Sequence, residues 1–127
     1  MALNLVSEQM KKALQEADRE IKTKVNTAVD SVAKESVNKL RDSSPARPGH
    51  GEYAKSWTIK RERSRSGIND VTIHNRDHYR LTHLLEKGHI IRNAKGTYGR
   101  TNPIKHIEPV EEFFNSEIPA QIERELE

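Results

Sequence analysis

Along the first third of the chain, Val6, Met10, Leu14, Ala17, Ile21, Val25, Ala28, Val32 and Leu40 recur at steps of mostly three or four residues, with charged positions between them. That spacing places one apolar stripe along a helix. It predicts a long N-terminal helix from Asn4 to Arg41, stopped by Asp42-Ser43-Ser44-Pro45, because proline removes an amide donor and disfavours helical backbone just before it. At 1.5 Å per residue such a helix reaches ~55 Å, more than a small domain needs internally. The alternative is a break near Thr23 or Ser36 with the chain folding back.

Pro45 to Gly51 reads as loop, since two prolines and two glycines in seven residues leave little backbone to pair. Trp57 and Ile59 then alternate with polar partners, and Val71 to Asn75 repeats the alternation after Arg65-Ser66-Gly67-Ile68-Asn69-Asp70, a β-hairpin pattern. Leu81, Leu84 and Leu85 recur at helical spacing between Tyr79 and Lys87, with Gly88 as a left-handed C-cap. Ile90 to Asn102 is rich in Gly and Lys without apolar periodicity and is expected to be flexible, ordering on assembly. A short strand over Ile104–Ile107 is expected to rejoin the sheet. Pro109 opens a terminal helix through Val110, Phe113, Phe114 and Ile118, which Pro119 should kink or end. The prediction is an α+β fold in the order α-β-β-α-β-α: a long N-terminal helix, a small antiparallel sheet with a β-hairpin, a short middle helix and a C-terminal helix. It reads as one domain, divided into the helix over 1–42, the sheet with its short helix over 52–107 (including the flexible loop 90–102), and the tail over 108–127.

With 127 residues, 33% apolar and 32% charged, the chain has material for only a modest core, which suggests support from neighbouring subunits. It has no cysteine, so disulfides and thiolate chemistry are out of reach. No apolar run approaches the ~18 residues of a membrane span, and residues 1–14 lack the apolar core of a secretory signal, so synthesis in the cytoplasm is expected.

The net charge of +3 hides a strong asymmetry. Residues 45–107 carry 13 basic and 5 acidic side chains, whereas residues 108–127 carry 1 and 7. One copy's basic centre could therefore meet another's acidic tail, or nucleic acid. Lys60, Arg61, Arg63 and Arg65 would either line a channel carrying DNA or serve as solvated and inter-subunit charges. Phosphate contacts bind without reading sequence and weaken as salt rises, and DNA that must slide tolerates few of them. Tyr53 and Trp57 are each isolated, so core or interface positions fit them better than base stacking.

An enzymatic reading would rest on His74, His78, His83, His89 and His106 with Asp77 and Glu86 as zinc or manganese ligands. Their spacing gives no His-Glu-x-x-His pair, and neither a nucleophile elbow nor a phosphate cradle is present. No catalytic, cofactor or metal residue is assigned. The alternative of a small basic nucleic-acid-binding module or metal-dependent nuclease has only the central charge and the histidines behind it.

Several blocks in order carry a resemblance: Ser44-Pro45 with Arg47, Tyr53-Ala54-Lys55-Ser56-Trp57, Leu85-Glu86-Lys87-Gly88-His89, then Pro103 to His106 and Pro109 to Glu112. Over residues 36–114 the chain resembles the tailed-bacteriophage head-to-tail connector, neck and tail-completion proteins. It departs in the longer turn Pro48-Gly49-His50-Gly51 and in Val110-Glu111-Glu112, where a small-residue ending is commoner. The resemblance implies a non-enzymatic virion subunit forming a closed ring, twelve-fold or six-fold, at the neck or tail end. It implies as partners the head-closure or adaptor proteins, tail-tube or tail-terminator proteins, and transient contact with double-stranded DNA. Glu86, Arg80, Lys87, His89, His106, Glu111 and Glu112 are the expected inter-subunit or partner contacts. A carboxylate at the last turn of the short helix is disfavoured by the helix dipole, so Glu86 should meet an Arg or Lys unless it is simply solvated.

Overall fold

A computed structural model of the chain describes residues 2–4, 19–45 and 51–127. Its elements are β1 (Ala2–Asn4), α1 (Arg19–Ser43), α2 (Glu52–Lys55), β2 (Trp57–Glu62), β3 (Asp70–Asn75), α3 (Tyr79–Lys87), β4 (Ile90–Asn93), β5 (Gly96–Arg100) and α4 (Glu108–Leu126). The α+β class, the long helix, the hairpin, the short middle helix and the terminal helix are as the pattern predicts.

The apolar stripe of α1 is buried at Val25, Val29, Val32, Val37 and Leu40, with Ala28, Ala33 and Ser36 keeping that face narrow. Small residues there allow α4 to pack along it through Val110, Phe114 and Ile118. The helix ends where the Ser44 amide donates to the Leu40 carbonyl at 2.9 Å, one residue before Pro45. Asn4 does not begin it: Ala2–Asn4 is an edge strand pairing with β3. Val6, Met10, Leu14 and Ala17 of the predicted stripe, and most of the 45–51 loop, lie outside the described residues.

The sheet has the antiparallel order β1-β3-β2. Central β3 alternates as the sequence does, with Val71, Ile73 and Asn75 buried and Asp70, Thr72 and His74 facing the other way. In β2, Trp57 is buried while Lys60, Arg61 and Glu62 run out past the core. The connecting turn is held by Asn26 of α1, whose side chain donates to the Gly67 carbonyl and accepts from the Asn69 amide, both at 2.9 Å. Ahead of β2, Glu52–Lys55 forms the single turn α2.

Three expectations in the C-terminal half need correction. Ile90–Asn102 contains a two-stranded ribbon, β4 against β5, separate from the main sheet. Positive φ at Gly96 and Gly99 supplies its reversal and twist. Ile104–Ile107 is not a strand, because its amides are spent elsewhere: Ile104 donates to the Leu85 carbonyl at 2.7 Å, and His106 and Ile107 donate to a side chain. Of the two outcomes expected at Pro119, it is ending the helix that needs correction: α4 continues through it to Leu126.

Candidate functional site

The segment 79–108 closes on itself around one carboxylate. Glu86, in the last turn of α3, is 6% exposed. Its Oε1 accepts from the amides of His106 (2.8 Å) and Ile107 (3.0 Å), and Oε2 accepts from that of Glu108 (3.0 Å). These amides form the N-terminus of α4, where helical backbone leaves donors without carbonyl partners and the macrodipole favours negative charge. Pro109 in the first turn lacks such a donor, so the unsatisfied amides fall just before it. Glu86 thus caps a helix 20 residues further along. Burial by itself raises the carboxyl's pKa, but the amides of Ile107, His106 and Glu108 and the His106 ring outweigh that and hold it below the usual carboxylate range.

His106, 1% exposed, is the second member of the cluster. Its Nδ1 lies 2.8 Å from the Ile104 carbonyl and 3.1 Å from Glu86 Oε1, both acceptors, so Nδ1 carries the proton. In the neutral ring Nε2 is then an acceptor, and the Tyr53 hydroxyl lies 2.7 Å from it and donates. Burial, then the nearby Glu86 charge, push the Tyr53 phenol well above its ordinary pKa, which keeps that proton in place. Tyr53, Trp57 and His106 pack edge to face with centroids 5.6 to 6.4 Å apart. The Trp57 indole donates to Ser44 Oγ at 2.8 Å, and Asn75 donates to the Tyr53 carbonyl (2.8 Å) while accepting from the His78 amide (2.9 Å). Hydrogen bonds and ring contacts together therefore tie the end of α1 to α2, β3, α3 and α4.

Gly88 allows the loop to cross. Its φ is +73° but its ψ is 168°, so it is not the left-handed C-cap expected. A Cβ there would stand 2.4 Å from the Thr101 carbonyl oxygen. Arg100 supplies the cap instead, donating to the carbonyls of Lys87 (3.1 Å) and Gly88 (3.4 Å).

The predicted contact residues therefore separate into two groups. Glu86 and His106 are buried inside the chain, and Glu86 meets backbone amides and a histidine rather than Arg or Lys. His89 is half-buried with Nδ1 3.0 Å from Thr101 Oγ1. Arg80, Lys87, Glu111 and Glu112 are exposed. Of the strand cations, Lys60 pairs with Glu62 at 2.9 Å and Arg61 with Asp30 of α1, leaving Arg63 and Arg65 as exposed charges. Trp57 and Tyr53 are core, as expected. Among the described residues no group of three His, Asp or Glu is placed to hold a metal ion, and no helix is long and apolar enough to cross a membrane.

The inward face of α3 is not its leucine face. Leu81 and Leu84, 39% and 41% exposed, point out, while Thr82 and Glu86 point in and Leu85 is half-buried. The signal that could have revealed this was Pro109: a proline-marked helix start preceded by free amides calls for a carboxylate, and Glu86 is the acid of the preceding helix.

A family model described as "Bacteriophage HK97-gp10, putative tail-component" matches residues 8–88. The matched segment ends at Gly88, so the β4–β5 ribbon and α4 lie beyond it. No curated protein and no solved structure matches the chain.

Proposed function

We propose that this chain, which belongs to the bacteriophage HK97-gp10-like family of tail components, is a structural subunit of the virion that forms a closed ring at the head-tail junction, around the path of the DNA. The observation that carries the ring is the separation of opposite charge within one molecule. Residues 78–107 contain six Lys or Arg and one acid, Glu86, which is buried; α4 carries acids along its exposed face. A ring needs two different, mutually complementary faces on each copy, related by a rotation that closes. A basic face and an acidic face on one chain meet that requirement without a second protein.

In this reading Arg63 and Arg65 stand toward the channel, while Lys60 and Arg61 are partly neutralised by Glu62 and Asp30. Such a wall attracts DNA weakly and lets it slide, since unpaired phosphate contacts set both affinity and its loss with salt. Head-closure or adaptor proteins would meet one rim of the ring and tail-tube or terminator proteins the other.

The test is the mass of the purified chain by light scattering over a concentration series, followed by antibody labelling of intact virions. A discrete species of six or twelve copies and label at the neck or head-proximal tail end are expected. A chain that stays monomeric at every concentration and is missing from virions would overturn the reading.

A further inference from the structure

Six large apolar side chains stand out among the described residues as exposed: Tyr79, Leu81, Leu84, Ile90, Ile104 and Leu126. Five belong to α3 and the segments that border it. Ile90 begins the ribbon just past Gly88, and the Ile104 amide is bonded to the Leu85 carbonyl, so both flank the last turn of α3. The exposures of Leu81, Leu84, Ile90 and Ile104 lie between 39% and 45%. Around them stand the exposed cations Arg80, Lys87 and Arg92. The one carboxylate between Asp77 and Glu108 is Glu86, turned inward, so the charges that α3 and the ribbon bring to this face are basic, with the exposed acids Asp77 and Glu108 at the two ends of the segment.

The sixth apolar side chain, Leu126, is 42% exposed at the far end of α4, between the exposed acids Glu123 and Glu127. Glu86 fixes α3 to the N-terminus of α4. The 19 residues of α4 then place Leu126 about 28 Å away, at 1.5 Å per residue. An apolar-basic face and an apolar-acidic end that match in chemistry cannot meet within one molecule.

We propose that the outward face of α3 is the docking surface for the C-terminal end of α4 of a second copy of this chain. Leu126 packs onto Leu81 and Leu84, and Glu123 and Glu127 face Arg80 and Lys87. Burial of the apolar side chains supplies the attraction, while the charges set which end of α4 fits and speed the encounter. The contact is heterologous, face to end, so each copy uses one of each and the chain of contacts can close. The proposal rests on the reading of the protein as a self-assembling tail subunit and names the surfaces that would do it.

The test uses the lack of cysteine in the full chain. Leu84→Cys and Leu126→Cys are made singly and mixed under mild oxidation. A cross-linked dimer is expected in the mixture and not in either variant alone. In parallel, Arg80→Glu with Lys87→Glu should weaken self-association by about 100-fold, as like charges then face each other, and adding Glu123→Lys with Glu127→Lys should restore it. Circular dichroism melts of every variant establish that the fold is intact. Cross-linking of Leu84→Cys to itself would overturn the proposal in favour of a symmetric contact, and so would capture of another tail protein at that position in virions. Wild-type chain that assembles while both charge-reversed pairs assemble equally well would overturn this inference alone. Wild-type chain that never assembles would overturn the ring as well.

Discussion

The two sides of α3 reverse the ordinary division of a surface helix. Its inward side presents Thr82, fully buried, and Glu86, while Leu81 and Leu84 face out. What a side chain meets, not its polarity, decides where it sits. A buried carboxylate is costly unless charge-assisted hydrogen bonds replace its water. Glu86 finds three amide donors and the His106 ring at the start of α4. Among the described residues, Leu81 and Leu84 have no comparable cover. The helix is thus internally satisfied on its polar side and unfinished on its apolar side, the opposite of what an amphipathic pattern suggests.

The sharpest way to break that contrast is Glu86→Ala. It leaves three amides buried at the start of α4 without acceptors, and should lower stability by about 3 kcal/mol in urea unfolding of dilute protein. Glu86→Gln keeps the shape and loses the charge, and should cost about half as much. The two also differ in pH dependence. The native pKa of Glu86 is depressed, so the stability it adds is complete above the unfolded carboxylate pKa of about 4.3 and is lost as pH falls through the lower native value. Wild-type protein should therefore lose stability between about pH 5 and pH 3 more steeply than Glu86→Gln. Equal slopes would mean that the charge of Glu86 is not what holds α4.

Next in size is Gly88→Ala. A positive φ and a Cβ 2.4 Å from the Thr101 oxygen together should cost about 2 kcal/mol, seen as a lower Tm in a calorimetric scan. Tyr53→Phe comes below it, at about 1 kcal/mol, because it leaves His106 Nε2 buried without its donor. An unchanged Tm in Tyr53→Phe would show that the aromatic packing, not the hydroxyl, makes that contact matter.

These residues also mark the limit of what periodicity can say. α1 from Arg19 onward, the β2–β3 hairpin, and the spans of α3 and α4 all follow from local spacing and punctuation, since each buries a regular stripe or alternation. The inward face of α3 does not, because its burial depends on amides 20 residues away that no local pattern registers. The 90–100 ribbon was hidden for a related reason: with Gly96 and Gly99 and a register shift between Ile90 and Arg92, it has little alternation to read. Glu86 and His106, expected as inter-subunit or partner contacts, are both buried within the chain.

The smallest expected effect is the most discriminating for the comparison. Leu84→Ser on the outward side should change the stability of the free chain by no more than about 0.5 kcal/mol, as for most exposed substitutions. Leu85→Ser, one residue along and packed against the core, should cost about 2 kcal/mol through lost burial and a hydroxyl turned toward apolar neighbours. Self-association should reverse that order, with Leu84→Ser weakening it and Leu85→Ser affecting it mainly through stability. Measuring both variants by unfolding at low concentration and by light scattering at high concentration separates the two faces of α3 by their opposite responses. A Leu84→Ser chain that unfolds as easily as Leu85→Ser would mean that Leu84 already has its partner within its own chain, and that the outward face is no docking surface.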